Sequence, residues 1–281
     1  IPVYIPIKDE VLRKYDLTAL SAAFVEDHKI LSKIPFLNLL MALLWLARNY
    51  RYDIYFAVMF FTQFSKCYNE DVFKDLLQIL LYLITKPHYV LSYTGETNYK
   101  YKPFVIKSYV DSSYGEYPYS CSFIYLNDNL IDVQVFCDKL YKNRELSDTL
   151  QKTSAAHSEI YGLYSTTKRV VYPYNLIHEF AEVDTPIVIK TDCDPARFLL
   201  ENRVNNKRTI HLAVKFRYVT ELIENKFIKL VREKGSSMIS DLGTKPQPRP
   251  VLEKWCSLIF DVVHHETSNF SFNLTKIVIH D

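Results

Sequence analysis

Four carboxylates in this chain stand where separate elements could deliver them to one point. Asp111 closes the run Val-Ile-Lys-Ser-Tyr-Val-Asp (residues 105–111) and is followed by Ser-Ser-Tyr-Gly, so an apolar, β-branched strand ends on an acid and then turns. Glu159 falls in the first turn of a helical pattern over 157–181. Asp192 ends Pro186-Ile-Val-Ile-Lys-Thr-Asp, and Asp241 stands near the start of a last helix. If the strands carrying Asp111 and Asp192 are adjacent and parallel, both acids emerge at the same sheet edge, the usual place for an α/β site. A pair of carboxylates at about 4 Å costs roughly 4 kcal/mol at an effective dielectric near 20, so such a cluster wants cations. Hard oxygen ligands suit Mg2+ or Mn2+. Two such ions about 3.5–4 Å apart would activate a water and stabilise the leaving oxygen of a phosphodiester.

The elements that must position these acids follow from periodicity. Residues 1–33 open with a short extended segment broken by Pro2 and Pro6, then a short helix, and are expected to form an arm. Residues 34–98 are expected to be a compact helical unit with helices over 34–48, 53–66 (Asp53 as a cap) and 69–85, the last ended by Pro87. From 99 to 263 the pattern reads βββαβαβα. Strands at 104–110, 121–126 and 130–136 are joined in part by the hairpin turn Asn127-Asp128-Asn129, and a helix that Pro173 kinks or divides follows. A fourth strand ends at Asp192, helices cover 195–203 and 209–225, a fifth strand covers 227–231, and a last helix covers 251–263. This is an α/β domain with a mixed sheet: an antiparallel meander, then parallel additions through helices. Residues 264–281 read as a tail.

Composition bounds the rest. The chain has 281 residues, 48% hydrophobic and 23% charged, enough for a sizeable core in one or two domains. Its net charge of +2 does not by itself announce a nucleic-acid binder, but residues 201–254 hold 12 Lys/Arg against 6 Asp/Glu. The five cysteines are scattered without Cys-x-x-Cys spacing, which argues against a disulfide framework or a structural zinc and for a reducing compartment, cytoplasmic or nuclear. Residues 36–47 are strongly apolar but too short to span a bilayer, and no signal peptide is visible; no membrane role is expected. The opening at Ile1 reads as a fragment or a renumbered chain.

With these residues in place, a resemblance emerges over about residues 34–260. Tyr109-Val-Asp-Ser-Ser-Tyr-Gly resembles the Ser-Asp-Ala-Ser-Tyr-Gly segment in the ribonuclease H domain of copia-type LTR retrotransposon polyproteins. Thr153-Ser-Ala-Ala-His-Ser-Glu159 is similar to that family's Thr-Ser-Thr-Thr-Glu-Ala-Glu, and Met238-Ile-Ser-Asp-Leu-Gly-Thr-Lys-Pro to its Ile-Ala-Asp-Ile-Leu-Thr-Lys-Pro, the most specific match. Lys190-Thr-Asp-Cys-Asp-Pro-Ala resembles the family's strand whose Asp is followed four residues later by a small residue, a likeness that selects Asp192 over Asp194. Arg208-Thr-Ile-His211 resembles Arg-Thr-Lys-His. Upstream, Arg51-Tyr-Asp-Ile-Tyr-Phe-Ala-Val resembles the reverse-transcriptase connection's Arg-Pro-Asp-Ile-Ser-Tyr-Ala-Val. There are also departures. The polymerase Tyr-x-Asp-Asp is absent, His157 stands for the family's first Glu, Ala213 stands for an Asp, and residues 132–152 are longer and lack the family's glycines.

The resemblance implies a ribonuclease H-like mixed five-stranded sheet with flanking helices, preceded by a small helical connection unit. It implies an enzyme that hydrolyses RNA in RNA–DNA hybrids, with Asp111, Glu159, Asp192 and Asp241 as ligands of two Mg2+ or Mn2+ ions. Arg208, Lys215, Arg217 and Lys245, from the basic stretch, are expected to meet nucleic-acid phosphates. The alternative is a domesticated, catalytically inactive module with the same fold, docking a protein through the helical unit or a nucleic acid. Because Mg2+ prefers oxygen, His157 and His211 are read as supporting or surface groups, Asp194 as a helix cap, and His264-His265 as tail.

Overall fold

The computed structural model of the chain describes residues 3–26, 31, 33–95, 102–114, 118–137, 155–203 and 213–262. They divide into two compact units, one formed by the N-terminal 92 residues with the segment from Pro246 onward, the other by Tyr93–Lys245.

The first unit is helical. Helices α1 (Asp9–Leu12), α2 (Leu17–Glu26), α3 (Phe36–Asn49), α4 (Tyr55–Thr62) and α5 (Glu70–Thr85) follow one another. Asn69 caps α5 by accepting the Val72 N–H at 3.0 Å, and the helix buries Val72, Phe73, Leu76, Ile79 and Tyr82 along one stripe. The segment expected to be an arm is tied to α5 instead: Val3 N–H donates to Thr85, Gln78 donates to the Ile5 carbonyl, and Lys14 and Tyr15 both donate to Asp75. Asp53 does not cap a helix. It is buried, accepting both a forked pair of bonds from Arg51 at 3.0 and 2.8 Å and the Tyr82 hydroxyl at 2.7 Å. A buried titratable cluster therefore sits in the helical unit. No helix among the described residues is long and apolar enough to cross a membrane.

The second unit is α/β, a five-stranded mixed sheet flanked by helices. Strands β1 (Ile106–Ser112), β2 (Tyr119–Leu126) and β3 (Asn129–Cys137) form an antiparallel meander. Asn127 and Asp128 both take positive φ in the β2–β3 turn, the conformation in which short polar side chains are tolerated. Helix α6 (Ala155–His178) follows, then β4 (Ile187–Thr191), α7 (Asp194–Glu201), α8 (Ala213–Glu224) and β5 (Ile228–Arg232). The short helix α9 (Asp241–Thr244) closes the unit. The strand order is β3-β2-β1-β4-β5, with β4 parallel to both β1 and β5. Ile106, Val110, Ile160, Leu163, Val170, Ile189, Phe216, Val219 and Leu230 are buried in one apolar cluster that joins the sheet to its helices.

Of the two outcomes expected at Pro173, division does not occur: the residue lies inside α6, which runs on to His178. Two other expectations are corrected. Asp194 does not cap α7; that helix begins on Asp194 itself, whose carboxylate pairs with Arg197 and Arg232. The last helix, α10 (Arg249–Ile259), was placed with the sheet but belongs to the helical unit. It buries Leu252, Trp255, Cys256 and Ile259, its Glu253 accepts from Lys86, and the Asp261–Val262 segment after it pairs with Tyr89–Val90. Those contacts join residues more than 160 positions apart, which no local pattern announces.

Candidate metal centre

The site is built at the edge of the sheet where two parallel strands end together. Tyr109 is level with Lys190 across β1 and β4. Counting two residues onward along each chain brings Asp111 and Asp192 to the same height, because parallel strands advance at the same rise. Helix α6 then supplies Glu159 from one face of the sheet, and α9 supplies Asp241 and Thr244 from the other.

Two of the chain's five glycines allow that approach. A Cβ on Gly162 would lie 2.3 Å from the Ser112 hydroxyl oxygen and 3.3 Å from Val110, so only glycine lets α6 lie this close to β1 and bring Glu159 to its end. A Cβ on Gly243 would lie 2.3 Å from the Cys121 sulfur and 2.6 Å from Val135, so the same device seats α9 on β2 and β3.

Asp111, Glu159 and Asp192 each offer a carboxylate oxygen, and these oxygens all lie within 4.8 Å of one another. Asp111 and Glu159 are buried, at 7% and 6% exposed. At that spacing each ionised pair repels by roughly 3.5 kcal/mol at an effective dielectric of 20. The carboxyls respond as expected. Burial pushes Asp111 up to about 6; the Thr244 hydroxyl, donating to its Oδ2 at 2.5 Å, and the Lys245 charge work against this, while Asp241 adds to it. Burial, then the charges of Asp111 and Asp192, push Glu159 up to about 9, against a hydrogen bond from the Ser112 backbone. Burial and Asp111 also raise Asp192, opposed by Lys245 and Arg232.

Asp241 stands beside Asp111, outside the set of three, and its Oδ1 lies 2.8 Å from the Lys245 ammonium one helical turn on. Desolvation works against that ammonium, but the hydrogen bond to Asp241 and the charges of Asp241, Asp111 and Asp192 outweigh it and hold its pKa above the ordinary value.

The donor set fits a hard divalent cation. In an octahedron with oxygens at about 2.1 Å, neighbouring ligands lie about 3.0 Å apart and opposite ligands about 4.2 Å, so the three carboxylates would draw together around a shared ion. Glu159 Oε2 is buried and has no hydrogen-bond partner, the condition expected of a ligand atom aimed at a cation. Imidazole and thiolate are not part of this group, which favours Mg2+ or Mn2+ over Zn2+.

The remaining candidates are placed as follows. His157 is buried on α6 and not a surface group. Lys215, on α8, holds its ammonium 3.8 Å from the centre of the Tyr161 ring, and Arg217 pairs with Glu221 at 2.6 Å. Arg208, His211, residues 138–154 and the segment from 263 onward lie outside the described residues. Sequence reasoning missed Thr244 as the donor to Asp111 and Lys245 as the partner of Asp241. Lys245 was findable, because it sits four residues after Asp241, the spacing that shares a helix face; the Thr244–Asp111 bond spans 133 positions and has no local signal. No family model matches the chain, and no solved structure matches it.

Proposed function

We propose that this chain is a ribonuclease H-like, divalent-metal-dependent nuclease that hydrolyses RNA in RNA–DNA hybrids and derives from a copia-type retrotransposon. The observation that carries the proposal is the group of three carboxylate oxygens within 4.8 Å at the shared end of two parallel strands, on residues of which Glu159 also keeps its Oε2 buried and unpartnered. The mixed five-stranded sheet with flanking helices agrees with the fold that the motif resemblance implies.

Asp111, Glu159 and Asp192 would hold Mg2+ or Mn2+, and Asp241 stands beside Asp111 to serve a second ion. The metal supplies an acidified water and charge stabilisation at the phosphodiester. Thr244 orients Asp111 by donating to its Oδ2. Burial of Asp111 and Glu159 keeps bulk water away from the carboxylates and strengthens their pull on a cation. The Lys215 ammonium and the Tyr161 ring beside it offer a charge and a flat face to a sugar–phosphate strand.

Cleavage of an end-labelled RNA–DNA hybrid in Mg2+ and in Mn2+, beside the Asp111→Asn and Asp192→Asn variants, tests the proposal. Cleavage by the parent alone is the expected result. Activity retained in both variants refutes the site. A folded parent that cuts in neither metal refutes the nuclease and leaves the non-catalytic binding module.

A further inference from the structure

The four carboxylates divide into unequal parts. Three converge on a common point, whereas Asp241 already has a cation from its own chain, the Lys245 ammonium 2.8 Å away. Lys245 is one turn beyond Asp241, on a long side chain that is 53% exposed, so solvent and a substrate can reach it. Its charge also acts on Asp111 and Asp192, placing it among the metal-ligand candidates instead of on an outer surface.

We infer that Lys245 occupies the position of a second cation, so that the substrate-free protein takes one divalent ion at Asp111, Glu159 and Asp192 and admits another at Asp241 only when Lys245 withdraws. The inference rests on the metal-binding reading of the site given above. Its logic is charge exclusion. An ammonium on Asp241 neutralises that acid and repels a divalent ion from the same oxygen. Lys245 thereby acts as a positioning residue for metal occupancy, and a phosphate is the group most able to draw it away.

The test is a count of bound Mn2+ on the full chain, followed by loss of the free-ion electron paramagnetic resonance signal, with the count for Asp192→Asn subtracted as background. The parent is expected to bind one ion. Lys245→Met, which keeps the length and removes the charge, is expected to bind two, and Lys245→Arg to return to one. Lys245→Gln repeats the neutral case should the Met variant misfold. Two ions on the parent overturn the inference and leave the metal site standing. One ion on both the parent and the neutral variants also overturns it. No ion on a parent shown to be folded by circular dichroism overturns the metal site and the inference together.

Discussion

Replacing Glu159 with Gln tests the electrostatics of the site with little change of shape. In the absence of metal, burial and the charges of Asp111 and Asp192 lift the Glu159 carboxyl from 4.5 to about 9. Between those values the folded chain keeps a proton that the unfolded chain releases. Unfolding is then favoured as pH rises, and stability falls by about 1.4 kcal/mol per pH unit. Asp111, raised only to about 6, acts mainly below the interval from pH 6.5 to 8.5, and comparison with the Gln variant removes the contributions of groups the two proteins share. Across it the loss is about 2.7 kcal/mol, or roughly 5–10 °C of melting temperature for a unit of this size. The Gln variant has no such proton, and its melting temperature should fall by that much less. Thermal melts followed by circular dichroism in EDTA, at three pH values for both proteins, provide the measurement. Excess Mg2+ at pH 8.5 should restore the parent and leave the variant unmoved. Parallel pH profiles for the two proteins would refute the claim that Glu159 is held protonated by its surroundings.

Three further outcomes are expected. Thr244→Val removes the donor to Asp111 and should cost about 1–2 kcal/mol in urea unfolding while weakening Mg2+ binding, because the carboxylate loses the contact that orients it; unchanged metal affinity would show that the hydroxyl does not position Asp111. Gly162→Ala forces a methyl group against Ser112 and Val110 and should destabilise the sheet unit by about 1–3 kcal/mol, with a stabilising effect refuting the close approach of α6. Asp53→Ala leaves the Arg51 guanidinium buried without its partner and should cost the helical unit about 3–5 kcal/mol; a loss under about 1 kcal/mol in denaturant titration would mean the pair is solvated.

Much of the architecture was local enough to read directly. The β2–β3 hairpin follows from Asn127 and Asp128, whose short polar side chains accept positive φ. Helix α5 follows from the Asn69 cap and a 3.6-residue apolar stripe. Asp111 and Asp192 could be placed at strand ends because an apolar run stops on each. The roles that failed were those settled by side-chain pairing, with neighbours as well as with distant residues. Asp53 looked like a cap because aspartate before an apolar run usually is one, yet Tyr82, 29 residues on, and Arg51 claim its carboxylate. Asp194 looked like a cap for the same reason, and Arg197 and Arg232 claim it.

At the site the division is the same. Residue types and their periods placed Asp111, Asp192 and Asp241 at the ends or starts of elements, since a strand's alternation and a helix's period are properties of neighbouring residues; Glu159, expected in the first turn of its helix, lies beyond that turn because α6 begins at Ala155. Which acids share a point was decided by tertiary packing. The register of β1 against β4 sets Asp111 and Asp192 level, Gly162 lets α6 bring Glu159 to them, and the pairing of Lys245 with Asp241 sets the fourth acid apart. Hydrogen-bond register and close backbone approach are relations between segments far apart in sequence, so no window along the chain contains them; the pairing of Lys245 with Asp241, four residues apart, is the one local relation among the three.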